Sequence, residues 1–247
     1  MRSPRSIPIL FALFVITTSS GCRLHLLPLF DGIKGSGKIV DETRQVPAFS
    51  ALQVHNIVQA TYEPADVASL SIRCDDNLLP FIDTRVEDGK LVIELKPNSS
   101  ISPTNGIVAT VKGPAVTRFE AAGASKIQAT VQPTDRLFAA AQGASEVNLD
   151  GIAVRELHLE AEGASKLRAT GQASQAQLTV AGASKIDAAE LQATTATVEA
   201  SGASHATVAA DEVAGSASGA SNVSLKRKPA RNTIQTSGAS SVKVQTQ

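Results

Sequence analysis

Three glutamates at repeated positions are the residues of this 247-residue chain best placed for acid–base chemistry. The tripeptide Gly-Ala-Ser occurs seven times, and Glu120, Glu160 and Glu199 each stand three residues before one of its glycines. Paired carboxylates hydrolyse glycosidic bonds at separations of about 5–5.5 Å, or about 6.5–9.5 Å in inverting enzymes. If each tripeptide marks one turn of a stacked structure, the glutamates fall on every second turn, about 10 Å apart. That spacing indicates a solvated charged face rather than a catalytic pair.

The other candidate residues lack the partners that catalysis or metal binding requires. The repeated serines occur in no Gly-x-Ser-x-Gly sequence, which is the usual context of a hydrolase nucleophile. The chain has no Cys-x-x-Cys and no calcium-binding repeat, and the run 75–77 (Asp-Asp-Asn) is typical of a turn. The four histidines are scattered along the sequence: His25, His55, His158 and His205. We therefore expect no catalytic residue, no metal site and no cofactor.

One basic run could form a docking patch. The sequence "KRKPAR" places Lys226, Arg227, Lys228 and Arg231 between the sixth and seventh tripeptides. It is either a solvated loop with a proline bend or a surface that binds an anionic partner, such as an acidic glycan or a protein. The chain as a whole carries 23 basic and 23 acidic residues, so its overall field does not favour nucleic acid or an anionic membrane.

The repeated tripeptide predicts the fold. Its glycines are spaced by 20, 20, 19, 20, 17 and 19 residues, and they are Gly123, Gly143, Gly163, Gly182, Gly202, Gly219 and Gly238. Around each glycine, apolar residues alternate with polar ones, as in Leu157, Leu159 and Ala161, which is the period of a half-buried strand. A unit of about 20 residues buries its apolar face only by stacking on its neighbours. The pattern therefore predicts an all-β fold, a right-handed parallel β-helix (β-solenoid) with coils of about 20 residues.

The tripeptide itself is expected to form the corner of each coil. Glycine tolerates the backbone angles of a tight bend, and small side chains fit where the chain turns. The alternation predicts that the glycine and the serine both face inward, while the next residue, Lys126 in the first copy, faces solvent. The seven glycines are therefore structural turn residues, and any binding surface lies on the outward positions or in the loops.

The N-terminus indicates export. Arg2 and Arg5 precede a ten-residue apolar run at 7–16, which matches a secretory signal and is too short to span a bilayer as a helix. Residues 1–21 are the expected signal peptide. The small residues before Cys22 resemble the lipobox of bacterial lipoproteins, whose cysteine becomes lipidated. The alternative is an ordinary signal peptide, with Cys22 as an unmodified thiol.

The rest of the chain divides into a short linker and one solenoid. We expect a linker over 22–34 and the solenoid over 35–247, with the seven Gly-Ala-Ser coils in 115–247. Residues 35–114 are strand-rich but lack the tripeptide, so they are either irregular coils or a cap that covers the first edge. Cys74, the only other cysteine, is expected to be a buried thiol on a strand.

Three segments resemble a known bacterial family. "GSGKIVDETRQVPAFSALQV", "DDNLLPFIDTRVEDGKLVIEL" and the repeated "GASKI" are similar to the head GIN domain of putative autotransporter adhesins. The resemblance covers residues 35–247. It implies a right-handed parallel β-helix, a periplasmic or surface location, and no established catalytic residue.

These observations lead to one functional expectation and two alternatives. We expect a non-enzymatic, exported cell-envelope protein, lipid-anchored in the periplasm, outer membrane or cell surface, that binds an envelope glycan or a protein partner. Contact with the membrane is expected only through the N-terminal anchor, and nucleic acid is not an expected partner. The alternatives are a carbohydrate-active β-helix enzyme (polysaccharide lyase or glycoside hydrolase) and a structural envelope protein without a specific ligand.

Overall fold

The computed structural model describes residues 32–245, so the expected signal peptide and Cys22 lie outside the described residues. Within residues 32–245 no helix is long and apolar enough to cross a membrane. The described chain consists of β-strands and one short 3₁₀ helix, Leu79–Phe81.

Nine strands form the part of the chain that lacks the tripeptide. They are β1 (Ile33–Lys34), β2 (Ile39–Arg44), β3 (Ala51–Val54), β4 (Val58–Pro64), β5 (Ser69–Asp75), β6 (Ile82–Glu87), β7 (Lys90–Leu95), β8 (Ile101–Ser102) and β9 (Ile107–Gly113).

Ten strands form the tripeptide-containing part. They are β10 (Arg118–Ala121), β11 (Lys126–Thr130), β12 (Thr134–Ala141), β13 (Glu146–Ala161), β14 (Lys166–Val180), β15 (Lys185–Ala200), β16 (His205–Ala217), β17 (Asn222–Leu225), β18 (Arg231–Thr236) and β19 (Ser241–Val244).

Successive coils pair through parallel strands, which confirms the predicted β-solenoid. The strands that precede each corner stack in the order β7-β3-β10-β12-β13-β14-β15-β16-β18. The strands that follow each corner stack in the order β9-β4-β11-β13-β14-β15-β16-β17-β19. Each of the long strands β13–β16 therefore ends one coil and begins the next. Register shifts at a second corner, such as that between Leu149 and Ile152, accommodate the unequal repeat lengths.

Residues 35–114 both continue the solenoid and cap it. The coil of β3 and β4 stacks directly under the first tripeptide coil, but the strands beneath it, β7 and β9, come later in the chain. The outer edges of β7 and β9 are covered by the antiparallel strands β6 and β5, and β2 pairs antiparallel with β5. Because unpaired edges attract other strands, this arrangement closes one end of the stack. At the opposite end lie β18 and β19, and no other described strand pairs with their outer edges.

Asp75 joins the cap to its flanking loops. Its carboxylate is fully buried and accepts hydrogen bonds from the backbone N–H of Gly37 (2.8 Å) and from the N–H (2.9 Å) and hydroxyl (2.8 Å) of Thr104. The hydrogen bonds from Thr104, followed by that from Gly37, lower the pKa of Asp75 despite the opposing effect of desolvation. The preceding residue, Cys74, is the buried strand thiol that the sequence predicted, and burial raises its pKa to about 11.

The serines of the tripeptides face the core, as predicted. Six are buried, and they are Ser125, Ser145, Ser165, Ser184, Ser204 and Ser221. The hydroxyl of Ser165 donates to the carbonyl oxygen of Ala141 in the preceding coil (2.8 Å), and Ser145 bonds to Ala121 in the same way (3.0 Å). These bonds satisfy a polar group inside an otherwise apolar corner.

The prediction that the glycines also face inward is wrong. All seven have φ between 70° and 80°, the left-handed region that glycine adopts without steric cost, and they lie on the exposed side of the corner. The carbonyl oxygen of each glycine from Gly123 to Gly219 accepts a hydrogen bond of 2.7–2.8 Å from the alanine N–H of the next tripeptide. A Cβ on Gly182 would lie 2.7 Å from the carbonyl oxygen of Gly163. The glycine is therefore required by backbone conformation and by the close stacking of successive corners.

Candidate binding groove

A groove with a volume of about 680 Å³ runs along one face of the solenoid, across the strands that precede the corners. One wall, row one, consists of the residues five positions before the corner glycines: Arg118, Phe138, His158, Gln177 and Thr197. The other wall, row two, consists of residues that each stand seven positions before a corner glycine: Arg136, Glu156, Gln175 and Thr195. Pockets of about 300–1,000 Å³ are the usual size for small ligands.

At one end of the groove, row one is a stack of planar groups. The guanidinium carbon of Arg118 lies 3.8 Å from the ring centroid of Phe138. The ring of His158 stacks on that of Phe138, with centroids 5.3 Å apart and an interplanar angle of 14°. Arg118 and His158 belong to the coils on either side of Phe138, so both ring faces are covered and the ring edge is what a ligand meets. Cation–π and aromatic contacts of this kind hold the stack rigid.

The charged side chains of the groove are already paired. Glu156 accepts from Nε of Arg136 (2.8 Å) and from Nη1 of Arg155 (2.9 Å). On row one, Nε of Arg118 donates to Glu120 (2.6 Å), and Nε2 of His158 lies 2.7 Å from Oε1 of Glu160. These pairs fix the positions of the side chains and leave their remaining donors and acceptors for a ligand.

The other end of the groove is uncharged. Gln175 and Gln177 are followed in register by Thr195 and Thr197 on the next coil, and all four side chains are exposed. A smaller cavity of about 300 Å³ continues the same two rows toward the end formed by β18 and β19, where row one carries Ala214 and Thr233 and row two carries Glu212 and Arg231. Along the solenoid axis the two rows therefore change from paired charges to amides and hydroxyls, and beyond the groove they become charged again.

The glutamates considered as a catalytic pair lie beside this groove. In the sheet register Ala140 separates Glu120 from Glu160, and Thr179 separates Glu160 from Glu199, as the sequence predicted. With one coil between neighbouring glutamates, their spacing of about 10 Å exceeds that of a glycosidase carboxyl pair. Glu120 and Glu160 also hydrogen-bond Arg118 and His158, which holds them in place beside the groove. No group of three His, Cys, Asp or Glu side chains that could hold a metal ion occurs within residues 32–245.

The basic run does not form a uniform cationic patch. Arg227 folds back, and its Nη2 donates to Asp211 (3.0 Å) and to the carbonyl oxygen of Ala193 (3.3 Å). Arg231 begins β18 and pairs in register with Glu212, whereas Lys226 reaches Gln245 (3.5 Å). Lys228 is exposed in the loop between them. Among the described residues, Arg227 is thus held by an ion pair, whereas the side chains of Lys226, Lys228 and Arg231 are exposed on either side of it.

A second cavity of about 670 Å³ lies on another face, near the second corner of the coils. Gln172 and Gln192 line it in register, with Thr194 beside them. At one end Arg155 binds the carboxylate of Asp135 through two hydrogen bonds of 2.8 and 2.9 Å. It shares glutamine and threonine side chains and an arginine–carboxylate pair with the long groove but lacks the ring stack, so variants of its glutamine and threonine serve as controls.

The two rows of the long groove were not identified from the sequence. The positions three before each corner glycine, which carry the three glutamates, lie beside the groove rather than in it. Counting five and seven positions back from Gly143, Gly163 and Gly182 gives the aromatic, charged and amide side chains that line the groove. Aligning the repeats at these two positions would therefore have identified the residues of the groove from the sequence.

The described chain is thus a capped β-solenoid with a polar groove along one face, an architecture that displays a long surface on stacked coils. Residues 48–229 match the family model described as "Putative auto-transporter adhesin, head GIN domain". The match covers most of the chain, and the protein belongs to this family, as the sequence resemblance indicated. No curated protein sequence matches it.

Solved structures from Bacteroides and Parabacteroides species share the fold. A putative adhesin from Bacteroides fragilis superposes with a TM-score of 0.77 at 20% identity, covering 86% of this chain and 100% of its own. A putative lipid binding protein from Parabacteroides distasonis gives 0.70 at 19% identity, covering 87% and 99%. A putative adhesin from Parabacteroides merdae gives 0.66 at 16% identity, covering 87% and 100%. At these identities the likeness establishes the fold alone.

Proposed function

We propose that this protein is an exported, non-enzymatic cell-envelope protein that binds a surface partner through the long groove. The observation that carries this proposal is the alignment of outward side chains in two rows over five coils, held in place by ion pairs and ring stacking. Membership of an adhesin-type family supports it. A structural protein without a ligand has no need of a groove with ordered polar walls.

A carbohydrate-active enzyme is the alternative that the groove itself raises. The carboxylates of Glu120, Glu156 and Glu160 each contact a cation or a histidine. A protein of this design holds a ligand and releases it unchanged. Release of new reducing ends or unsaturated sugars from envelope polysaccharides on incubation with the purified protein would favour the enzyme instead.

Export and anchoring rest on the N-terminal sequence and on the family. The signal-like residues 1–21 and the lipobox-like context of Cys22 support attachment through a lipid, with the solenoid outside the inner membrane. Replacing Cys22 with serine is expected to move the protein from the membrane pellet to the soluble exported fraction. A Cys22→Ser protein that stays in the pellet after a high-salt wash would contradict the lipid anchor.

Binding through the groove is tested with two matched double variants. The groove variant is Gln177→Ala with Thr197→Val, and the control variant is Gln192→Ala with Thr194→Val. All four side chains are exposed on strands, so the two variants should fold equally well. We expect the wild-type protein and the control variant to bind isolated bacterial envelopes saturably, and the groove variant to bind at least tenfold more weakly. Equal binding by both variants would place the interaction elsewhere on the protein.

A further inference from the structure

Each charged arginine or glutamate that lines the long groove is paired with an opposite charge in the groove or beside it. Arg136 is paired with Glu156, and Arg118 is paired with Glu120 just beside row one. An anionic ligand gains little from cations that already hold carboxylates, and it meets those carboxylates as like charges. The groove is therefore suited to an uncharged ligand that both donates and accepts hydrogen bonds.

The shape of the groove favours a linear polymer. Its rows repeat once per coil, at about 4.8 Å, the spacing of hydrogen-bonded strands. This spacing between coils is close to the length of one sugar along an extended β-1,4-linked polysaccharide. A glycan chain laid along the solenoid axis thus brings one sugar to each coil. There it meets one side chain from each row, for example Gln175 and Gln177 on one coil and Thr195 and Thr197 on the next.

A polypeptide fits the same surface less well. Peptide strands bind by adding to a sheet edge or by placing apolar side chains in pockets. The groove lies on a sheet face, where the backbone groups already pair with adjacent coils, and its walls at the amide end are polar. Since the ring faces of Phe138 are covered by Arg118 and His158, recognition relies on hydrogen bonds, which suits hydroxyl groups.

We propose that the long groove binds a single chain of a neutral, extended β-linked polysaccharide along the solenoid axis, through hydrogen bonds from its amides, hydroxyls and ion-paired groups. The inference rests on the proposed function, of which it names the ligand class. Glu156, Arg136, Gln175 and Gln177 contact the hydroxyls of successive sugars, and Thr195 and Thr197 extend the site by one further coil.

The test is isothermal titration of the purified protein with linear hexasaccharides of one length. The neutral probes are the β-1,4-linked glucose, mannose and xylose hexamers, and the anionic probe is the β-1,4-linked hexamer of mannuronic acid, which has the linkage of the mannose hexamer. We expect saturable binding of at least one neutral hexamer, at least tenfold weaker binding of the acidic one, and a tenfold loss of neutral binding in the groove variant. The control variant should retain the wild-type affinity.

The outcomes separate the ligand class from the binding function. If no neutral hexamer binds, or if the acidic hexamer binds as well as the best neutral one, the polysaccharide inference is overturned. Should the groove variant then still lose envelope binding, the groove remains a binding site for another class of ligand. If neutral hexamers bind equally to wild type and groove variant, glycan binding is located away from this groove and the inference also fails.

Discussion

Replacing the corner glycine Gly182 with alanine should be far more damaging than replacing Gly151. Both residues have φ of 76°. A Cβ on Gly151 would have its nearest neighbour at 3.8 Å, whereas a Cβ on Gly182 would lie 2.7 Å from the carbonyl oxygen of Gly163. Comparing Gly151→Ala with Gly182→Ala therefore separates two losses of stability. One comes from placing alanine in the left-handed backbone region, and the other comes from pushing two coils apart.

The magnitudes follow from these two contributions. An alanine forced into the left-handed region costs about 1–2 kcal/mol, and this applies equally to Gly151 and Gly182. At Gly182 the added carbon also overlaps the oxygen of Gly163, which accepts the 2.7 Å hydrogen bond from Ala183. Shifting the coil weakens that bond and loosens nearby packing, at a further cost of about 2–3 kcal/mol. Any gain from restricting the unfolded chain is common to both variants and cancels in the comparison.

Thermal and urea unfolding of the two variants, followed by circular dichroism, measures this difference. At about 2–4 °C per kcal/mol for a domain of this size, Gly151→Ala should lower the Tm by a few degrees and Gly182→Ala by about twice that or more. Because stacked repeats can unfold in stages, hydrogen exchange near the corner provides a second readout. Equal destabilisation by both variants would refute the argument that close stacking, and not φ alone, requires glycine at the corners.

Three further predictions concern the core, the cap and the basic loop. Ser165→Ala should lower the free energy of unfolding by about 1 kcal/mol, because it removes a buried hydrogen bond. Ser204→Ala should be neutral or stabilising, because the buried hydroxyl of Ser204 has no hydrogen-bond partner among the described residues. Urea unfolding measures both variants, and a larger loss for Ser204→Ala than for Ser165→Ala would contradict this reasoning. Because the pKa of Asp75 is lowered in the folded protein, its carboxylate stabilises the fold above the unfolded pKa of about 3.9, and this contribution is lost as the pH falls through the folded pKa. Asp75→Asn should therefore be less stable than wild type at pH 7 and should lack this acid-dependent loss. Equal dependence of unfolding free energy on pH in the two proteins would refute the prediction. Lys226→Gln with Lys228→Gln should lower the salt concentration that elutes the protein from an anionic matrix, and unchanged elution would exclude the loop as a docking patch.

Period-two alternation around a repeated tripeptide was sufficient to predict the solenoid. Positions such as Leu157, Leu159 and Ser165 are buried as expected, because a strand with one covered face restricts which residues point inward. The error at the glycines has a specific cause. Period-two alternation applies to an unbroken strand, whereas a residue with positive φ leaves the pleat and turns outward.

The stacking order at the capped end could not be predicted from local pattern. The first coil has Asn56 at the corner where later coils have glycine, with φ of 64°, a conformation that asparagine tolerates better than most residues. Its side-chain oxygen also accepts a hydrogen bond from the N–H of Leu95 in the coil below (2.9 Å). Pairing β3 with β7 requires a contact between segments about 40 residues apart, and neither segment contains the repeated tripeptide. Long-range pairing of this kind leaves no periodic signal.

The corners and the outer rows differ in how strongly the fold restricts their residues. The corner is nearly identical from coil to coil because each glycine oxygen must accept the next alanine N–H, and a side chain there would separate the coils. Row one obeys no such constraint, since its side chains project from the sheet while the backbone beneath them stays the same. It therefore changes from Phe138 and His158 to Gln177 and Thr197 without altering the fold. Because those two ends differ chemically, the proposed polysaccharide is expected to bind in one direction and register, with different side chains at its two ends.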